Sequence, residues 1–264
     1  MLPDIQSQAD ARGLRIQAVG VKGLRYPVTI SSDGKHQPTV AEFRMTVGLD
    51  PAVKGTHMSR FVELLEARAD ALDQDGFKAM LDQMLVRLGA ASGAIEMRFP
   101  YFLTRHAPVS GVASLIDCEV CWRAEAPGDG SFVFRMEVTA AATSLCPCSK
   151  EISAYGAHNQ RSHIRIDAEL AGRVDIGELL AIAEGGASCE VYGLLKRSDE
   201  KYVTERAYDN PKFVEDAVRD VAGALQREPR VAGFTVEVEN FESIHNHSAF
   251  ARIDGTNSRS RHVS

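Results

Sequence analysis

Two hydrophobic rhythms divide the chain. GLRIQAVGV and TVAEFRMTVGL place apolar side chains at every second position, the period of a half-buried strand. In the second segment Ala41, Phe43, Met45, Val47 and Leu49 alternate with Glu42, Arg44 and Thr46. The spacing then becomes helical. Met58, Phe61, Val62, Leu65 and Leu72 outline one stripe, and Phe77, Met80, Leu81, Met84, Leu85 and Leu88 a clearer one. Period two returns in AIEMRFPYFLT and in the strand containing Trp122, so the first half reads β-β-α-α-β-β. Pro127-Gly128-Asp129-Gly130 makes a tight connection into SFVFRMEVTA, and QRSHIRIDAEL is a further strand. Helices are predicted in VDIGELLAIAE and from 211 onward, where Asn210 is placed to cap, Pro211 suits the first turn, and Val214, Val218, Val221 and Leu225 form the stripe. GFTVEVENF and IHNHSAFARI close the chain as strands, so the second half repeats the element order of the first without repeating its sequence.

This order predicts an α+β protein of two halves, 1–126 and 127–264, each a four-stranded antiparallel sheet with a helix pair on its apolar face. The irregular segments, 143–160 and 196–210, both fall in the second half, and long irregular segments in a compact protein are often functional.

Composition narrows the function classes. The 264 residues carry a formal net charge of −6 with no run of Lys or Arg, which argues against a nucleic-acid partner. No stretch reaches the roughly 18 apolar residues of a membrane span. The polar start MLPDIQSQADARG lacks the apolar run of a secretory signal, so a cytoplasmic protein with reduced thiols is expected. Of the five cysteines, Cys118 and Cys121 form a C-x-x-C. Strand alternation puts Cys118 beside Ile116, Val120 and Trp122 and turns Cys121 to the other face, so the pair reads as ordinary strand residues. Cys189, alone, receives the same reading.

The segment TSLCPCSKEISAYGAHNQRSH carries the densest chemistry. Cys146 and Cys148 flank Pro147, and His158 follows. A thiolate and an imidazole from one loop suit zinc or a similar ion, in either a catalytic or a closed structural site. His245 and His247, placed on one strand face after Glu242, suit proton transfer or metal ligation. His36 and His262 lie in polar surroundings near a turn and the terminus, and His163 shares a polar strand face with Arg161 and Arg165; all three read as surface. Glu215 sits at the edge of the Val214–Leu225 stripe, where a carboxylate is either surface or aimed at a pocket.

CPCSKEIS followed by GAHNQRS, with GTHMSRF at 55–61 and ESIHNHSAF, resembles the type IB GTP cyclohydrolases of bacteria and archaea. The resemblance implies the tunnelling fold, or T-fold, in which tandem β-β-α-α-β-β units assemble into barrels, and a homo-oligomer, by family a homotetramer. It implies that Cys146, His158 and Glu200 ligate a divalent metal, zinc or manganese or iron in its place, with Cys148 a second thiol close by. Glu215 would anchor the amide and amino edge of guanine. His245 and His247, with Glu242 nearby, would be active-site acid–base groups, and His57, Ser59 and Arg60 would meet the triphosphate.

The implied reaction opens the guanine imidazole ring of GTP, releases formate and closes the product to 7,8-dihydroneopterin triphosphate, the first step toward tetrahydrofolate. It needs an activated water, a proton donor and a group that fixes the base. Two other readings stand beside it. One is a T-fold enzyme acting on a pterin or deazapurine, such as an NADPH-dependent nitrile reductase with a cysteine nucleophile. The other is a zinc-stabilised assembly protein without catalysis.

Overall fold

The computed structural model describes residues 6, 8–67 and 70–257; His262 lies outside them. The first six elements follow the predicted order: β1 (Ile16–Ser32), β2 (Lys35–Leu49), α1 (Ser59–Glu66), α2 (Gln74–Leu88), β3 (Gly93–His106) and β4 (Ala113–Ala126). The remainder is more elaborate: β5 (Val133–Leu145), α3 (Pro147–Ile152), β6 (Asn159–Leu170), α4 (Ile176–Gly185), β7 (Cys189–Glu190), α5 (Arg197–Asp209), α6 (Val214–Arg227), β8 (Val231–Asn240) and β9 (Ala249–Thr256). No helix among the described residues is long and apolar enough to cross a membrane.

The expectation of two four-stranded sheets is corrected. The strands hydrogen-bond in the single order β1-β2-β3-β4-β5-β6-β8-β9, with β7 paired to β5. Strands of 13 and 14 residues at β3, β4 and β5 leave no edge at which a second sheet would begin. By contacts the chain forms two units, residues 1–99 with 121–135 and residues 100–120 with 136–264, so β3, β4 and β5 each contribute residues to both.

In the first unit, β2 and β3 pair antiparallel with Phe43 opposite Met97 and Met45 opposite Ile95. These four side chains are fully buried, whereas Glu42, Arg44, Glu96 and Arg98 occupy the alternate positions. Helix α2 covers the apolar side. Asp73 caps it by accepting from the Gly76 N–H at 2.8 Å, Gly89 ends it in the left-handed conformation, and Phe77, Met80, Leu81 and Met84 are buried. Phe77 and Phe99 meet the Trp122 ring edge-on at 5.8 and 5.5 Å, and Phe134 completes the group at 5.8 Å from Trp122.

In the second unit, β6 and β8 place Ile164 opposite Val238 and Ile166 opposite Val236, all fully buried. Helices α4 and α6 supply Leu179, Ala183, Val218, Val221 and Leu225 to the same core. The predicted start of the last helix is corrected. Asn210 is the C-cap of α5, its N–H bonded to Arg206 O at 3.1 Å, and α6 begins at Val214, where Asp216 accepts from the Phe213 N–H at 3.1 Å. The segment 196–210, expected to be irregular, is helix α5.

The Trp122 cluster fixes the first stability prediction. Phe77→Ala is expected to lower the unfolding free energy by about 3–5 kcal/mol, measured by equilibrium denaturation at one protein concentration. A loss under about 1 kcal/mol would place the core elsewhere.

Candidate active site

The second unit builds a loop around Cys146 and His158. Strand β5 ends at Leu145, and Cys146 becomes the N-cap of α3, with Pro147 in the first turn, where its missing N–H costs nothing. Cys146 N–H donates to His158 O at 3.2 Å, so the two ends of the loop are pinched together. Ser149 is the pivot: its hydroxyl donates to Cys146 O and accepts from the His158 N–H, both at 3.2 Å. Its N–H points at Cys146 Sγ at 3.5 Å. The outer side of α3 is tied to α5 through Lys150, which hydrogen-bonds Tyr208 O and lies 4.2 Å over the Tyr208 ring.

The imidazole of His158 is held through one nitrogen. Gln160 Oε1 lies 2.8 Å from Nδ1, and Glu242 Oε2 is 3.9 Å from the same atom. With Gln160 accepting, Nδ1 carries the proton and Nε2 keeps its lone pair for a ligand or a substrate proton. The ring and the Glu242 carboxylate are 13% and 14% exposed, so their interaction is shielded from bulk water.

Buried polar residues support the loop from behind. Ser162 Oγ donates to Asn240 Oδ1 at 2.6 Å, Asn240 Nδ2 donates to Ser144 Oγ at 3.2 Å, and Ser144 Oγ donates to Lys212 O at 3.2 Å. Leu145 N–H donates to Ser188 Oγ at 3.1 Å. Gln160, Ser162 and Asn240 stand at the ends of the inward rows that continue as Ile164, Ile166 and Ala168 on β6 and Val238 and Val236 on β8. Sequence reasoning overlooked these residues, although polar side chains terminating apolar rows are a legible signal of a buried network.

The other expected residues are less gathered. Among the described residues, no group of three or more His, Cys, Asp or Glu side chains is close enough to hold a metal ion. The chain joins Cys146 to His158 by the backbone, and Glu242 to His158 by proximity. Glu200, on the first turn of α5, is exposed, as are Cys148 and Glu215, the latter on the first turn of α6. His245 and His247 are corrected: they occupy a bend between β8 and β9 rather than a strand. Their rings stack at 5.2 Å, the exposed stretch 243–248 lacking the alternation that would pair it. His36 and His163 are exposed as expected, His163 resting edge-on against Phe241 at 4.8 Å.

In the first unit, His57 is half-buried and lines a cleft of about 770 Å³ with Arg15, Asp50, Thr56, Arg60 and Ser92. Arg60 is held by its bond to Arg87 O at 3.0 Å, and Ser59 is exposed at the start of α1.

None of the five cysteines forms a disulfide. Cys118 and Cys121, three residues apart on β4, are both buried. Burial pushes the Cys118 thiol up to about 12, helped by Asp117 and Glu119, and raises Cys189 to about 11. Both are therefore neutral and unreactive near pH 8.

The family profile described as "Type I GTP cyclohydrolase folE2" matches residues 2–251. "GTP cyclohydrolase FolE2 1" of Dechloromonas aromatica (strain RCB) is 59% identical over 257 residues, 97% of each chain. "GTP cyclohydrolase FolE2" of Azoarcus sp. (strain BH72) is 56% identical, covering 96% of this chain and 94% of its own. Among solved structures, uricase from Arthrobacter globiformis superposes with a TM-score of 0.51 at 9% identity, over 94% of this chain and 96% of that one. A urate oxidase from Bacillus sp. TB-90 gives 0.52 at 9% identity, over 92% of this chain and all of that one. At such identity the structural likeness speaks for the fold alone.

Thiol chemistry tests this geometry. In metal-stripped native protein at pH 8, iodoacetamide should modify Cys148 first and Cys146 next, leaving Cys118, Cys121 and Cys189 intact until denaturant is added. Mass mapping of the alkylated peptides reads the order, and early modification of Cys118 would contradict its burial.

Proposed function

The chain belongs to the FolE2 family of type I GTP cyclohydrolases, and on that premise we propose how its residues divide the work of opening the guanine ring. The activity is that of a GTP cyclohydrolase of folate biosynthesis: GTP and water give formate and 7,8-dihydroneopterin triphosphate. The observation that carries the residue assignment is the pinched loop, which joins Cys146 to His158 through their backbones while Gln160 engages Nδ1 of the imidazole.

This donor set fits a divalent ion. A soft thiol with an imidazole suits Zn, with Mn or Fe as alternatives when a carboxylate joins, and Glu200 is the carboxylate assigned here. Such an ion, when bound, supplies a water acidified to a pKa of about 7 to attack the imidazole carbon of guanine. Cys146 and His158 hold it, and the Gln160 bond keeps the His158 ring in the tautomer that can ligate. Cys148 lies two residues beyond the pinch, an alternative ligand or a contact for substrate.

Glu215 fixes the base. Its carboxylate accepts from the ring N–H and the exocyclic amino group of guanine, a paired, charge-assisted contact that sets the reacting carbon. His245 or His247 protonates the ring nitrogen N7 as the neighbouring carbon becomes tetrahedral, then returns as a base during expulsion of formate. Glu242, beside His158, holds the local charge balance. The cleft with Arg15, His57 and Arg60 offers cations for the triphosphate, with Ser59 at its edge.

A second copy of the chain completes the site. Glu200, Glu215, Cys148, His245 and His247 are exposed on one chain, and large apolar side chains stand exposed among them: Ile152, Tyr155, Phe213, Ile244 and Phe250. Catalysis of this kind requires exclusion of bulk water, and apolar residues interspersed with reactive ones are what a neighbouring subunit would cover. A homotetramer built on T-fold barrels is the proposed assembly, in the cytoplasm.

Three outcomes follow. Metal-reconstituted protein incubated with GTP should release formate and yield a fluorescent pterin after oxidation. Cys146→Ala and His158→Ala should lose both tight metal binding and turnover while retaining the fold by circular dichroism; full turnover in metal-stripped protein would overturn the assignment. Glu215→Gln should keep a normal metal content yet lose about 2 kcal/mol or more of GTP binding, because the amide presents a donor where guanine also donates. Wild-type steady-state kinetics in that variant would remove Glu215 from the site.

A further inference from the structure

Helix α5 is held by polar fasteners rather than by an apolar face. Its only buried residues are Asp199 and Ala207, and its sequence, RSDEKYVTERAYD, has no apolar stripe. Ordinary packing energy therefore cannot set its orientation. At its far end Arg206 forms a two-pronged pair with Glu190 at 3.0 Å, and Asn210 Nδ2 donates to Ala187 O and Ser188 O at 3.0 and 3.1 Å. At its beginning a single carboxylate does the fastening.

Asp199 is completely buried. Its Oδ1 accepts from the N–H groups of Val109 and Ser110, both at 2.8 Å. Its Oδ2 accepts from Ser110 Oγ at 2.6 Å and from the Lys196 N–H at 2.8 Å. The first three donors lie on the connection between β3 and β4, a tight turn closed by Ala107 N–H to Val112 O at 2.9 Å and Gly111 N–H to Ala107 O at 3.0 Å. Gly111 permits that turn through a φ of +69°. The four bonds to Asp199 lock the first turn of α5 to the end of the hairpin.

The next residue is Glu200. We propose that Asp199 is a positioning residue, which fixes the first turn of α5 on the 107–112 turn so that the Glu200 carboxylate is presented to the metal in one orientation. The inference rests on the reading of Glu200 as a ligand. A ligand on an exposed helix with no apolar anchor would otherwise lose affinity by sampling many positions, and supporting residues that orient ligands change metal affinity by about 10–100-fold when removed. Asparagine at this position keeps the size but replaces one accepting oxygen by a donor, which must face either the Lys196 N–H or the backbone N–H pair of Val109 and Ser110.

The test is a mutant cycle in the full-length protein, with Zn²⁺ affinity measured by competition with a chromophoric chelator and hydrogen exchange followed at 107–112 and 196–204. Asp199→Asn should weaken Zn²⁺ binding about 10-fold or more, with faster exchange confined to those two segments and unchanged circular dichroism. Ser110→Ala, which removes one bond and keeps the carboxylate, should move affinity in the same direction by less; it carries the test should Asp199→Asn not fold. In a Glu200→Ala background Asp199→Asn should have no further effect on affinity. If Glu200→Ala weakens binding but neither Asp199→Asn nor Ser110→Ala does, the positioning role is overturned while Glu200 stands as a ligand. An additive loss in the double variant overturns it equally. If Glu200→Ala leaves Zn²⁺ affinity unchanged, the ligand reading fails and the positioning role fails with it.

Discussion

The pleat of the sheet governs everything else in this protein. Cross-strand pairs such as Phe43–Met97 in one unit and Ile164–Val238 in the other commit one face to burial under helices. A shift of one residue would exchange every one of these side chains for a charged neighbour. The register is thereby fixed, and with it the ends of the strands. Those ends frame the proposed site, because β5 stops at Leu145 and β6 starts at Asn159, and the loop between them carries Cys146 and His158. The polar residues Gln160, Ser162, Asn240 and Ser144 occupy the last inward positions of β5, β6 and β8. The core thus passes without a break into the support of the reactive loop.

That support is polar, and each piece is satisfied locally. Ser149 ties both ends of the loop, Gln160 holds His158, and Asp199 seats the start of α5. Removing one member of such a network leaves buried partners unmatched, a cost larger than the net worth of the bond itself. The residues proposed for ligation and catalysis, Cys148, Glu200, Glu215, His245 and His247, are exposed on the single chain. In the proposed assembly each chain frames its own ligands, and a second copy would supply the enclosure.

Much of this was legible in the sequence, and the failures have physical causes. Period-two alternation identified the long strands because one face is buried along most of their length. The α2 stripe was readable for the same reason, as was α6 from Val214, Val218, Val221 and Leu225. The first stripe was not, since α1 ends at Glu66 and stops short of Leu72, while Met58 and Val62 are exposed and Leu64 is buried instead. Helix α5 was not readable, since a helix fastened by Asp199, Arg206 and Asn210 needs no apolar stripe to announce it. Asn210 next to Pro211 imitated the start of a helix while serving as the end of another. ESIHNHSAF joins an unpaired bend to a strand, so extending the strand pattern back over His245 and His247 misplaced them. One continuous sheet could not be distinguished from two by element order, because pairing of β4 with β5 depends on strand length and tertiary contact. For the proposed site, residue type and resemblance put forward Cys146 and His158, whereas Gln160 and Asp199 emerge only from who accepts whose hydrogen.

In the proposed site the Cys146 thiolate and the His158 imidazole together hold the ion on which turnover depends. Cobalt substitution tests it most directly, because a thiolate bound to Co²⁺ gives a near-ultraviolet charge-transfer band that oxygen and nitrogen ligands do not. Stripped protein titrated with Co²⁺ should develop this band in step with the recovery of GTP turnover, and Cys146→Ala should bind any residual cobalt without it. An active cobalt enzyme with no thiolate band would contradict the claim.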